Sequence, residues 1–366
     1  MKFVMVCPDW FPNISGFALS CYEFSQELIK MGHDVVIVVP KIKGLDPKGM
    51  RLAQVPMIGN VMGRNPVVLR LLSTIRRESK DADAVIIYSY MYEMNARIAF
   101  FRKIGLLKKP LILMYRGSLE QDVTARLSFA TKMAKKFYDA TFARFLFKNV
   151  DRIISNSKPT LKVIEDMYKV PENRLAYVNS AVYVDSYKVS SCDNKRVTFI
   201  GRLIENKGVE LFPQILKVIP ESWEFCVIGD GPMTADVEKM KQEFPNIVTL
   251  GKQPLDKVKE WLGKSDILVL PTYAEGSPRV VLEALSSGVP CVSFAVGDVE
   301  NVLPKSVGFA VKPFDVDEFC KNVNYLIKHD KERKIMGKAA HSFAKKHLDW
   351  PNVAKKMIDE IGVVLK

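Results

Sequence analysis

The chain has 366 residues, 48% of them hydrophobic and 26% charged, which is enough for two compact domains and leaves no room for a large disordered region. No run approaches the ~18 apolar residues of a membrane-spanning helix, and the six cysteines lack CxxC pairs or metal-ligand spacing, as in a reduced, intracellular protein. The formal net charge of +13 is uneven: residues 1–150 carry 23 Lys and Arg against 12 Asp and Glu, whereas the rest carry 31 against 29. The basic first part is either an ordinary solvated surface or a surface for an anionic partner, such as a phospholipid leaflet, a lipid-linked phosphate or nucleic acid.

The opening KFVMVCP from Lys2 soon meets Pro8 and Asp9, so it reads as a first strand and not as a signal peptide. Residues 19–30 have helical character and stop at Gly32, followed by the strand DVVIVVP from Asp34. Further buried strands are expected at AVIIYSY from Ala84, LILMYRG from Leu111 and DRIISNS from Asp151. A polar stretch at 186–195 precedes the same rhythm again: RVTFIG from Arg196, WEFCVIG from Trp223, NIVTLG from Asn246, DILVLP from Asp266 and PCVSF from Pro290. Strands alternating with amphipathic stretches predict two doubly wound α/β domains, 1–185 and 186–348, with a closing segment 349–366. Open parallel sheets bind ligands at the carboxyl ends of their strands, so two facing domains would make an interdomain cleft.

The most informative segment is LPTYAEGSPRVVLEALSSGVP, residues 270–290. A strand ends at Pro271, a loop carries Glu275 and Gly276, and a helix is expected to begin near Ser277 and Pro278, a good cap followed by a favoured first helical residue. Backbone N–H groups from Arg279 through Val280 to Val281, at the positive end of the helix dipole, would suit a pyrophosphate. Gly276 has no side chain to keep a sugar away, and Glu283, further into the helix, can accept from ribose hydroxyls. A second segment, FIGRLIENKGVEL from Phe199, places Arg202 and Lys207 after a strand, where two cations suit two adjoining phosphates. VIGDGP from Val227 adds a strand and a turn at Gly229. Each residue also has an ordinary role as a solvated loop or helix residue; their order along one chain favours the site.

Together these segments resemble the family-4 retaining glycosyltransferases of the GT-B fold, over almost the whole chain. CPDWFPNISG resembles the family's N-terminal glycine loop, ELIKMGHDVVIV the helix, Gly-His turn and strand that follow, and GRLIENKG the GR-x-x-x-x-KG segment. EGSPRVVLE resembles the EG…E signature, VGDVENVL the segment closing over the donor, and HLDWPNVAKKM the closing helix that crosses back onto the N-terminal domain. The resemblance implies a nucleotide-sugar donor, with Arg202 and Lys207 on its diphosphate, Glu283 on the ribose and Glu275 on the transferred sugar. Backbone from Gly276 to Val281 would complete the cradle, and Gly16 would approach the diphosphate from the opposite side. It also implies transfer with retention, a donor phosphate oxygen taking the acceptor's proton, and neither metal nor cofactor; no DxD motif is placed to hold an ion. Two departures stand out: Phe17 follows Gly16 where the family often has a second glycine, and Arg116-Gly117 replaces a His-Gly pair. Arg116 cannot act as a base at neutral pH but can stabilise an anion; Asp9 and Glu120 are the other polar groups expected on this acceptor-side wall.

The expected acceptor is a glycan or a lipid-linked group, with the protein cytoplasmic or peripheral on the cytoplasmic face of a membrane. Residues 123–148 mix five lysines and arginines from Lys132 to Lys148 with aromatic and aliphatic anchors, as in an interfacial helix, or as in a helix packed on its own domain. A non-catalytic nucleotide-sugar-binding partner of another transferase is the alternative suggested by Arg116. Nucleic-acid binding has only charge in its favour, because no recognised motif accompanies it.

Overall fold

The computed structural model describes residues 1–12, 15–61, 65–116, 133 and 138–365. They form two compact units: Met1–Val178 with Val353–Lys366, and Asn179–Asn352.

The first unit is built on strands β1 (Lys2–Val6), β2 (Asp34–Pro40), β3 (Leu52–Val55), β6 (Ala84–Tyr88), β7 (Leu111–Tyr115), β8 (Arg152–Ser155) and β9 (Leu175–Tyr177), all parallel, in the order β3-β2-β1-β6-β7-β8-β9. Strands β4 (Met57–Val61) and β5 (Asn65–Val68) form a separate antiparallel pair. The central strands are buried along nearly their whole length, which explains their unbroken Val, Ile and Leu runs: a parallel sheet is covered by helices on both faces. The helix Gly16–Lys30 is capped by Ser15, whose Oγ accepts from the Ala18 N–H. It ends as the sequence leads one to expect: Gly32 takes φ +81°, its N–H reaches the Ile29 carbonyl and the His33 N–H the Leu28 carbonyl.

The second unit carries β10 (Arg196–Ile200), β11 (Glu224–Ile228), β12 (Ile247–Gly251), β13 (Ile267–Leu270), β14 (Cys291–Phe294) and β15 (Gly308–Val311), all parallel, in the order β12-β11-β10-β13-β14-β15. Buried Asp266 ties this sheet at its amino end, accepting from the backbone of Asn194 (3.0 Å) and Arg196 (2.8 Å). Both sheets reverse their winding once, between β1 and β6 and between β10 and β13. At such a reversal the two connections leave to opposite faces, and the carboxyl ends of the strands are left uncovered for a ligand.

All six cysteines are free, and five are buried in the apolar interior. Among the described residues no helix is long and apolar enough to cross a membrane.

Candidate functional site

Three loops leave the carboxyl edge of the second sheet and are stitched together by backbone hydrogen bonds. The loop after β10 meets the loop after β11 through Gly201 N–H to Ile228 O (3.0 Å) and Leu203 N–H to Asp230 O (2.8 Å). It meets the loop after β13 through the Asn206 carbonyl, which accepts from the Tyr273 N–H (3.0 Å) and the Thr272 hydroxyl (3.1 Å). The approach is so close that Gly229, at φ +148°, would place a Cβ 1.8 Å from the Gly201 carbonyl oxygen. Only glycine fits there.

These contacts gather the charged residues singled out in the sequence. Lys207 Nζ donates to Glu275 Oε1, with the two side chains only 19% and 16% exposed. Arg202 is exposed and makes no ion pair or side-chain hydrogen bond among the described residues. Glu283 is buried in the helix Arg279–Ser286, and its Oε1 lies 3.1 Å from Arg279 Nε one turn earlier. Val281 is buried in the core of the unit and Val280 packs against that core, so only their backbone faces the helix start.

The helix begins one residue later than expected. Pro278, with extended ψ of 107°, is the cap residue, and the Val281 N–H reaches back to its carbonyl (3.1 Å). Ser277 therefore stands one place too early to cap with its side chain. Its Oγ is buried with no hydrogen-bond partner, an unsatisfied polar atom beside the positive end of a helix.

The segment after β14 buttresses this loop from below. The Asp298 N–H donates to the Gly276 carbonyl (2.8 Å), and Asn301 Nδ2 holds Asp298 Oδ1 (2.9 Å). Gly297, at φ +57°, would place a Cβ 2.0 Å from the Glu275 carbonyl oxygen. Sequence reasoning did not single out Asn206, Gly297 or Asp298 as shaping residues, since their contribution is a backbone group or the absence of a side chain.

In the first unit, Asp9 Oδ2 accepts from the N–H of Ser15, the cap residue of the first helix (2.9 Å). Gly16 is the first residue of that helix, and a Cβ there would meet no protein atom within 4 Å. Arg116 directly follows β7; its Nη1 donates to the Val178 carbonyl (3.3 Å) and Nη2 touches Met357 Sδ (3.5 Å). Its Nε is buried without a partner, no carboxylate among the described residues pairs with it, and burial holds the guanidinium below its ordinary pKa. The neighbouring Tyr88 hydroxyl, at the end of β6, is likewise buried and unpartnered, and burial pushes the phenol well above its ordinary range. Glu120 and Gly117 lie outside the described residues. Among the described residues no three His, Cys, Asp or Glu side chains converge.

The fold is shared with known proteins. Sucrose-phosphate synthase from Thermosynechococcus elongatus superposes with a TM-score of 0.77 at 14% identity, covering 99% of this chain and 98% of that one. Anabaena HepE in complex with UDP gives 0.79 at 15% identity, covering 99% and 100%. In sequence, the sulfoquinovosyl transferase SQD2 of Arabidopsis thaliana is 26% identical over 98% of this chain and 72% of its own length. The phosphatidylinositol N-acetylglucosaminyltransferase GPI3 subunit of Saccharomyces cerevisiae is 24% identical over 97% of this chain and 81% of its own. The Glycosyltransferase Family 4 model matches residues 14–186 and the Glycosyl transferases group 1 model matches residues 194–329. With both halves matched in order, the chain belongs to the family-4 glycosyltransferases of the GT-B fold, and is a transferase.

The buttress is directly testable. Gly297→Ala must push the Glu275 and Gly276 carbonyls aside, at a cost of roughly 1–3 kcal/mol, which calorimetry should register as a Tm lower by several degrees. An unchanged Tm would show that the loop is not pinned from below.

Proposed function

We propose that the protein transfers a hexose-type sugar, with retention of configuration and without a metal ion, from a nucleotide-diphosphate sugar to a lipid-linked or glycan acceptor. The observation that carries this reading is the convergence, at the edge of one sheet, of unpaired Arg202, the Lys207–Glu275 pair and the unpartnered Ser277 hydroxyl beside a helix start. That set suits a diphosphate joined to a polyhydroxylated ring. Support for the donor class comes from HepE, whose structure holds UDP. The sulfoquinovosyl and phosphatidylinositol N-acetylglucosaminyl transferases support a glycolipid-type acceptor.

In this reading Arg202 chelates phosphate oxygens and Lys207 turns from Glu275 to the diphosphate. The exchange satisfies Lys207 again and releases the Glu275 carboxylate to accept hydrogen bonds from the sugar hydroxyls. Backbone N–H groups between Gly276 and Val281 complete the cradle, Gly229 keeps the neighbouring turn low, Glu283 takes the ribose, and Gly16 leaves room in the first unit. The acceptor oxygen forms its bond to the anomeric carbon as the bond to the diphosphate breaks. The acceptor proton passes to a donor phosphate oxygen on the same face. The protein's contribution is positioning and cationic stabilisation of the leaving diphosphate, the task otherwise given to a metal ion. Arg116, a buried cation that no carboxylate among the described residues pairs with, stabilises negative charge on the acceptor side, while Asp9 and Glu120 accept hydrogen bonds from acceptor hydroxyls.

Two experiments test this. Proton NMR of the product formed in excess EDTA should show undiminished turnover and the donor's own anomeric configuration. An inverted product, or activity restored only by a divalent ion, would overturn the mechanism, and a lack of any nucleotide release would favour a non-catalytic sugar-nucleotide binder. By calorimetric titration with UDP, GDP and ADP, Arg202→Ala should lose about tenfold or more in affinity for the preferred nucleotide, from a charge-assisted contact of roughly 1.5–3 kcal/mol. Its Tm should not change, because the Arg202 side chain is exposed and has no partner among the described residues. Glu283→Ala should weaken nucleotide binding as well but also lower Tm, because it removes a buried carboxylate that accepts from Arg279 Nε. Wild-type affinity in Arg202→Ala would remove the diphosphate assignment.

A further inference from the structure

The chain leaves β15 through the turn 312–315, closed by the Asp315 N–H on the Lys312 carbonyl (3.1 Å). Pro313 is the second residue of this turn, and Phe314, the third, takes φ +67°. A left-handed third position normally belongs to glycine or asparagine, and a bulky side chain is strained there. The turn is fixed at both ends. β15 sets its entry, and Asp315 caps the next helix, Val316–Lys328, its Oδ1 accepting from the Glu318 N–H (3.1 Å). The ring that this turn presents is 71% exposed, so burial of an apolar side chain does not account for it.

The Phe314 ring lies against Tyr273. The two rings are nearly parallel, with centroids 4.9 Å apart and planes at 18°. Tyr273 is in turn parallel to Phe294, the last residue of β14 (6.0 Å, 16°). Tyr273 thus links a fully buried ring to an exposed one, at separations that suit offset stacking. It also belongs to the loop that carries Glu275, two residues further on. Its N–H is held by the Asn206 carbonyl, next to Lys207, and the Glu210 carboxylate stands beside its hydroxyl.

The Lys207–Glu275 pair is a further tie on this loop. In the reading above Lys207 leaves Glu275 for the diphosphate, so the loop loses that tie just when the carboxylate is needed at the sugar. The hydrogen bonds of Thr272 and Tyr273 to Asn206 stay in place, and so does the ring stack. We propose that Phe314 is a positioning residue for transfer: without touching a ligand, its ring braces the loop 272–276 so that Glu275 stays directed at the donor sugar after Lys207 has turned away. The proposal rests on the donor-site reading above and adds to it a residue from the far side of the sheet, in the loop after β15.

The test compares two variants of the full chain. Phe314→Gly keeps the turn, since glycine accepts φ +67° without strain, and removes only the ring. Phe314→Tyr keeps the ring. In Phe314→Gly the Tyr273 amide proton, bonded to Asn206, should exchange about three- to tenfold faster, the effect of one lost aromatic stack; in Phe314→Tyr it should exchange as in the wild type. At saturating donor, nucleotide release from the preferred one of UDP-, GDP- and ADP-glucose should slow about threefold or more in Phe314→Gly. Calorimetric affinity for the free nucleotide should stay at the wild-type value, and Phe314→Tyr should restore the rate. Unchanged exchange, an unchanged rate, or an equal loss in rate and in nucleotide affinity would overturn the positioning role alone. A wild-type protein that binds and releases no nucleotide would overturn the donor-site reading, and the positioning role with it.

Discussion

A parallel sheet can be wound only by crossovers of one hand, so a sheet covered on both faces must reverse its direction of winding somewhere. In the second unit that reversal falls between β10 and β13, and everything at the candidate site follows from it. The loops after β10, β11 and β13 emerge side by side at an edge that no helix covers. Their backbones then satisfy one another: Asn206 holds Tyr273, Asp230 holds Leu203, and glycines stand wherever a Cβ would collide with a carbonyl. A rigid rim of this kind allows flexible cations such as Arg202 and Lys207 to be aimed without a helix behind each of them.

The electrostatics of the rim are those of a site waiting for an anion. Lys207 and Glu275 are mostly withdrawn from water and neutralise one another, since a part-buried charge without a partner is strongly destabilising. Arg202 remains exposed to solvent, where an unpaired charge costs little. An incoming diphosphate adds negative charge beside two cations and a carboxylate, so its arrival favours the parting of the internal pair. The ion pair thus keeps the ligand-free loops stable, and in the proposed reading it holds both partners ready for a donor. In the first unit Arg116 represents the opposite case, a buried guanidinium with no carboxylate paired to it among the described residues, whose cost the rest of that unit must offset.

Most of the framework was legible in the sequence because buried parallel strands leave unbroken runs such as those beginning at Asp34, Ala84, Leu111 and Asp266. Three of the four strands at sheet edges were not: β3, β9 and β15 are short and only partly buried, whereas β12 was read from its NIVTLG run, and the β4–β5 pair lies outside the main sheet. The candidate residues were chosen from their local context, strand end, loop and helix start. The cap was misplaced because Pro278, itself extended, postpones the helix by one residue and leaves Ser277 outside it. Pairings across the chain left no such trace. Nothing in the sequence links Lys207 to Glu275, 68 residues away, and the basic aromatic stretch around Phe142 gives no sign that the helix Glu93–Lys103 is its partner.

The central claim is that a nucleotide-diphosphate sugar is held by the loops at the carboxyl edge of the second sheet. Amide hydrogen exchange with and without a saturating nucleotide sugar, chosen from a panel of UDP, GDP and ADP donors, tests this most directly. The account predicts slowed exchange concentrated in residues 201–208, 229–231 and 275–283, with the far ends of the same strands unchanged. Protection confined to other segments, or none with any donor in the panel, would contradict it.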